Sequence, residues 1–171
     1  NVLRFKVEYY GNKTTDGQKD STPLTKNQIV RHILDNHDKL TAQRRFNALL
    51  ATPSIPDAIS YYEIFKEEQK QRLEDDPDYV PLNITAIFTP PMRNTFDEDL
   101  PQEEADNREN PDGNRSALKS IIDQYNGKFK RNFGVETFDE YYRDVQQRVK
   151  DQKYPNKEYA HSKKLDIVIV V

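Results

Sequence analysis

The amino-acid sequence predicts an α/β fold in three layers, a mainly parallel sheet with helices on both faces, interrupted by an acidic insertion. Three observations predict it. Residues 46–51, 82–89 and 165–171 are short, nearly uninterrupted apolar runs of strand length, the composition of strands buried on both faces. Stretches with apolar residues at helical spacing separate these runs, and strands that alternate with helices build parallel sheets. A length of 171 residues suffices for one domain with a real core and falls short of two of ordinary size.

Residues 1–23 read as an entering strand, with Val2, Phe5, Val7 and Tyr9 among its apolar positions, followed by a polar loop. Residues 24–91 form the strand-helix-strand core. Thr25 and Gln28 have capping-box spacing, and Leu24 and Ile29 sit where a hydrophobic staple needs them. Ile29, Val30, Ile33 and Leu34 then make one buried helix face that should end between residues 38 and 41. The chain is organised around residues 45–66. There the run 46–51 is stopped by Thr52 and Pro53, and Ser54 caps a helix with Pro56 in its first turn and Asp57 at its third position. Ala58, Ile59, Tyr62 and Phe65 give that helix its core face, and residues 73–81 read as an acidic connection. The strand over 82–89 is closed by Pro90 and Pro91, which cannot sustain a ladder.

Residues 92–113 read as a solvated acidic insertion, disordered or carried on the surface. Residues 114–171 supply two helices and the last strand. Asn114 is expected to cap the first helix and Gly127 to end it, with Leu118, Ile121, Ile122 and Tyr125 facing the core. Thr137 and Glu140 have the spacing of another capping box, and Phe138, Tyr141, Tyr142, Val145 and Val149 form an apolar stripe. A basic loop over 154–164 precedes the final strand. A terminus of bare β-branched residues would invite aggregation, and the chain does not open on Met, so the sequence reads as a piece of something longer.

Composition narrows the chemistry. The chain is 32% charged with a mean hydropathy of −1.00, so its core is concentrated in a few strands and helix faces. The net charge of −3 hides an asymmetry: residues 96–113 carry eight acids against the single base Arg108, a net −7 that leaves +4 for the remainder. A mildly basic body tolerates a polyanion without announcing one. The absence of cysteine excludes disulfides and thiolate metal sites and fits a reducing, cytoplasmic setting. The longest apolar run is far too short to span a membrane.

No Gly-rich phosphate loop is present, so this segment alone holds no ATP in the usual way. His32 and His37 lie five residues apart, whereas a zinc pair on a helix needs three or four. Asp57 and Glu68 mimic a metal-dependent nuclease pattern, but eleven helical residues separate them by about 16 Å, too far to share one ion. The sequence therefore offers no catalytic, cofactor-binding or metal residue. What remains is the bend Thr52-Pro53-Ser54. Ligands gather at the carboxyl ends of parallel strands, and free backbone N–H groups at the following helix start would favour an anion such as phosphate. An ordinary helix cap is the plainer reading of the same residues.

The combination of segments resembles the motor (R) subunit of type I restriction enzymes, and within it the second RecA-like domain of a superfamily 2 helicase, a P-loop NTPase-type fold. The segments are Val2-Leu-Arg-Phe-Lys-Val-Glu-Tyr, Phe46-Asn-Ala-Leu-Leu-Ala-Thr-Pro-Ser with Ala58-Ile-Ser-Tyr-Tyr-Glu-Ile-Phe-Lys, Ile84-Thr-Ala-Ile-Phe, Ile122-Asp-Gln-Tyr-Asn, Phe138-Asp-Glu-Tyr-Tyr-Arg-Asp-Val and Leu165-Asp-Ile-Val-Ile-Val-Val. By that resemblance, residues 46–54 match helicase motif IV and 165–171 the strand entering motif V. The resemblance implies a parent that uses ATP and Mg²⁺ to pull in double-stranded DNA and assembles with methyltransferase and specificity subunits. It also implies that this segment alone is catalytically silent. Thr52 and Ser54 become the candidates for DNA-backbone contact, with Lys163 and Lys164 adding screening-sensitive attraction. A second reading is a freestanding, non-catalytic α/β interaction module whose acidic loop docks a basic partner.

Overall fold

The computed structural model describes residues 24–91, 101–150 and 163–171. The predicted strand over 2–9 and most of the basic loop lie outside the described residues. Within them the order is α1 (Lys26–Leu40), β1 (Ala48–Ala51), α2 (Ile55–Asp75), β2 (Ile84–Ile87), α3 (Pro101–Glu109), α4 (Pro111–Phe129), a 3₁₀ turn (Val135–Thr137), α5 (Phe138–Lys150) and β3 (Ile167–Val170). The three apolar runs form one sheet in the order β1-β3-β2, and both pairings are parallel. Register sets Ala48 and Ile84 beside Ile167, and Ala51 and Ile87 beside Val170.

Because successive strand residues face opposite sides, the burial of Ile167, Val168 and Ile169 means that both faces of the central strand are covered. Val30 of α1, Ile55, Ala58 and Phe65 of α2, Leu118 and Ile122 of α4 and Tyr141 of α5 complete one core with β3. Tyr141 is fully buried and spends its hydroxyl on Thr85 Oγ1 at 2.6 Å and the Ala86 carbonyl at 2.8 Å. An aromatic ring thus fastens α5 to β2 without leaving a polar atom orphaned.

The first strand departs from expectation. Its residues alternate between half-buried and exposed, and Leu49 is 66% exposed. Being apolar at every position, the run looked covered on both faces, but β1 is an edge of the described sheet and only its Ala48 and Leu50 side packs on the core.

Several helix boundaries also shift. The capping box at Thr25 forms, with Gln28 N donating to Thr25 Oγ1 and Gln28 Oε1 accepting from Thr25 N, while Ile29 is buried and Leu24 stays largely exposed. Helix α2 runs on to Asp75, through the start of the expected connection. The acidic segment is not a wholly solvated excursion, because residues 101–109 form α3. Asn110 rather than Asn114 caps α4, since Pro111 supplies a favourable first position and Asn110 Oδ1 accepts from Gly113 N at 3.2 Å. Gly127 lies inside α4, which ends at Lys130 in a left-handed conformation. Thr137 exchanges hydrogen bonds with Gly134 behind it, closing a 3₁₀ turn instead of the expected box.

Between α1 and β1 the chain does something the sequence does not announce. Ala42, Gln43 and Arg44 all adopt positive φ, at 53°, 58° and 59°, a single left-handed turn that costs roughly 1–2 kcal/mol per residue. Arg44 holds it: its Nε donates to Asp38 Oδ1 at 2.8 Å and its Nη2 to the Val80 carbonyl at 2.9 Å. Thr41 Oγ1 accepts from Arg44 N and donates to the His37 carbonyl. Replacing Ala42 by Gly removes the Cβ penalty while loosening the unfolded chain, so Ala42→Gly should raise stability by about 0.5–1 kcal/mol in urea denaturation. A lower midpoint for that variant would mean the turn is not strained.

Candidate functional site

The site candidates sit where β1, β2 and β3 end, on the carboxyl rim of the sheet. Thr52 continues the ladder by one step, its N–H donating to the Val170 carbonyl at 2.8 Å. Its hydroxyl donates to the same carbonyl at 3.0 Å, and the residue is buried. Thr52 therefore fastens the bend from beneath rather than presenting a free hydroxyl. Pro53 is exposed, and Ser54 is half-buried as the cap of α2.

At that cap the amides are already occupied. Ser54 Oγ accepts from Asp57 N at 3.2 Å and donates to Asp57 Oδ2 at 2.8 Å, while the Ser54 carbonyl accepts from Ala58 N. Pro56 has no N–H to offer. The remaining donor, Ile55 N, goes to Asp106 Oδ2 of α3 at 2.8 Å. The expectation of free N–H groups cradling a phosphate is thus corrected: the protein supplies its own anions, which satisfy the helix dipole from within.

Helix α3 makes the same arrangement at the end of the other outer strand, β2. Glu103, buried, accepts from Thr89 N, and Asn107 Nδ2 donates to the Thr89 carbonyl at 3.0 Å. Asn114 Nδ2 donates to the Asp106 carbonyl at 3.0 Å and to Asn107 Oδ1 at 3.1 Å. Two acids of the segment read as solvated are instead buried and brace the loops after β1 and β2. A docking loop for a basic partner loses part of its charge by this. The signal that could have found them is their spacing: Glu103 and Asp106, three residues apart, share one helix face.

Sequence reasoning also missed Lys26, the first residue of α1, whose Nζ lies 2.5 Å from Asp57 Oδ1. That ammonium, against the opposing effect of burial and with help from the Ser54 hydroxyl, holds the Asp57 carboxyl below the ordinary carboxylate range. A depressed carboxyl contributes stability that is complete at neutral pH and is lost as pH falls through its folded value. The other half of the nuclease mimic, Glu68, is bound by Arg31 at 2.8 Å, so the two carboxylates answer to different cations.

Lys163 and Lys164 are not brought to this rim. They precede β3, and the six residues from Lys164 to Val170 span about 20 Å of extended chain. At that amino end their carbonyls are structural acceptors, Lys164 O for Asn83 Nδ2 at 2.8 Å and Lys163 O for Arg148 Nη1 at 3.1 Å. Thr52 and Ser54 thus share one rim, with Lys26 beside them, and the two lysines lie at the other. Among the described residues no helix is long and apolar enough to cross a membrane.

Residues 44–171 match the family model described as type I restriction enzyme subunit R domain 3. The whole chain aligns at 32% identity over 186 residues with a type I restriction enzyme endonuclease subunit of Staphylococcus aureus strain COL, covering 18% of that protein. A subunit of the same description from strain MRSA252 gives the same identity and coverage. One from Staphylococcus saprophyticus is 33% identical over 102 residues, 59% of this chain and 9% of the relative. The chain thus spans about a fifth of the length of these Staphylococcus aureus relatives.

Asp106→Ala should leave the fully buried Ile55 amide without an acceptor and destabilise the protein by about 1–3 kcal/mol, whereas Asp106→Asn, which keeps an oxygen in place, should lose much less. Equal losses for the two variants in chemical denaturation would show that the cap is not what Asp106 provides.

Proposed function

Because this chain belongs to the family of domain 3 of type I restriction enzyme R subunits, we propose that it is the second motor domain of such a subunit, the part that grips the DNA backbone and closes one side of the ATP cleft. The observation that carries this reading is the parallel register. It sets Ala51 beside Val170 and lets Thr52 bond the Val170 carbonyl, so the bend after β1 and the end of β3 share the rim at which open parallel sheets meet their ligands. The mixed α/β architecture agrees with a RecA-like domain.

In this proposal Thr52 fixes the height of the bend and the outer surface of Pro53 and Ser54 lies along the phosphates. Lys26, 38% exposed at its side chain, is the cation beside them. Such contacts position a duplex without reading its sequence. The domain holds no nucleotide phosphate by itself, because the first amides of α2 are spent on Ser54 and Asp106. ATP and Mg²⁺ belong to the parent protein, with their phosphate-holding residues elsewhere in it. The parent acts as a cytoplasmic, ATP-dependent translocase and endonuclease on double-stranded DNA, together with methyltransferase and specificity subunits. Lys163 and Lys164, on the far rim, contribute at most through the general field.

Thr52 is buried and a charge there would disrupt the sheet, so the variant that tests the contact is Pro53→Glu in the full subunit. It should slow ATP-driven translocation several-fold while leaving target-site binding by the assembled complex intact. Unchanged translocation would remove the bend from the DNA path.

A further inference from the structure

At the amino rim of the sheet, away from the candidate DNA edge, α2, α4 and the lead-in to β2 line a groove of about 350 Å³. Its floor is apolar, made by Phe65, Leu82, Tyr125 and Phe129, and Leu73 stands on its lip, 45% exposed. Three lysines line it, Lys66 and Lys70 one helical turn apart on α2 and Lys128 on the facing wall of α4, and no described carboxylate does. In a chain with net charge −3, three cations around an apolar floor whose lining holds no carboxylate favour an anionic partner.

Two of the groove's amides, Gln69 and Asn83, are spent internally. Gln69 donates to the Leu82 carbonyl and accepts from Leu82 N and Tyr79 Oη, and Asn83 Nδ2 goes to Lys164 O. Converging polar groups of the kind that orient a small ligand are therefore not what this groove offers. An apolar centre inside a charged rim is instead the anatomy of a protein interface. The lysines are lightly held: Lys66 meets Glu63 at 3.3 Å and Lys70 meets Glu74 at 4.0 Å along the exposed face of α2, pairs worth little against a new partner.

We propose that this groove is a docking surface for an acidic amphipathic segment, Asp or Glu beside Leu or Phe, supplied by the rest of the parent polypeptide. Charge complementarity sets the chemistry of the occupant. The source follows from length, because this chain corresponds to only 18% of the related subunits and the greater part of such a subunit lies outside it. Parallel strands put this surface at the end opposite the bend at Thr52, so docking here leaves the DNA edge open.

The test is lysine footprinting and zero-length carbodiimide cross-linking of the full-length subunit, alone and without DNA. Lys66, Lys70 and Lys128 should acetylate at least about tenfold more slowly than Lys119 on the outer face of α4, and should cross-link to Asp or Glu beside Leu or Phe outside residues 1–171. Replacing all three exposed lysines by Glu should abolish those cross-links, and Lys119→Glu should not. The proposal is overturned if the three lysines react as fast as Lys119 or cross-link only to Glu63 and Glu74. Protection that arises only when another subunit or a second copy is added would overturn it equally. Since no DNA or ATP enters the measurement, its outcome is separate from that of the motor-domain reading.

Discussion

Everything in this domain depends on the insertion of β3 between β1 and β2. The last described strand of the chain is the first in importance, since neither outer strand pairs with the other. The described strands are four residues long and supply short ladders. Side chains tie the ends of the sheet. At the amino end Asn47 Nδ2 donates to the Leu165 carbonyl at 2.9 Å, Asn83 Nδ2 reaches Lys164 O, and Asp166 Oδ2 accepts from Asn83 N at 2.8 Å. At the carboxyl end Thr52 does the same for Val170. These contacts join residues more than eighty positions apart, so the sheet cannot close until distant parts of the chain have met, a topology that folds slowly.

The same geometry makes the carboxyl rim a constructed surface. Helix α3 lies across it and inserts Glu103 and Asp106 into the loops after β2 and β1, where backbone N–H groups would otherwise lack acceptors. Internal carboxylates at a helix start stabilise it through the dipole and remove an open anion cradle in one step. The bend 52–54 is thereby fixed in height and direction. A second polar cluster joins α4 to α5: Tyr125 Oη and Arg148 Nε both bond Asp144 Oδ2, and Arg131 approaches Asp144 Oδ1. Burial acts to raise the Asp144 carboxyl, but these partners outweigh it and hold it below the usual range, so this joint too loosens on acidification.

What the sequence made legible was local. Apolar runs located all three described strands, the Thr25 box and the Ser54 cap were readable from spacing, and the stripes of α2 and α4 named core residues that are buried. What it hid was set by distant neighbours. Leu49 is apolar, yet it lies 66% exposed on β1, an edge of the described sheet, and nothing within the run says so. Asp106 looks like one acid among eight until the fold brings it to the amide of Ile55, fifty-one residues away. The left-handed turn at residues 42–44 contains no glycine to signal it and persists because Arg44 is held by Asp38 and Val80. Of the site, Thr52 and Ser54 were found as a bend, but the burial of Thr52 and the separation of Lys163 and Lys164 from it follow only from strand direction.

The proposed reading is directional: the duplex would run along the rim where these parallel strands end. Photo-cross-linking in the assembled complex on DNA tests it most directly, with a photoreactive residue placed at position 53 in one protein and at position 163 in another. DNA adducts at position 53 and none at 163 are the predicted result. Adducts at 163 with position 53 unreactive would put the nucleic acid at the opposite edge and contradict the account.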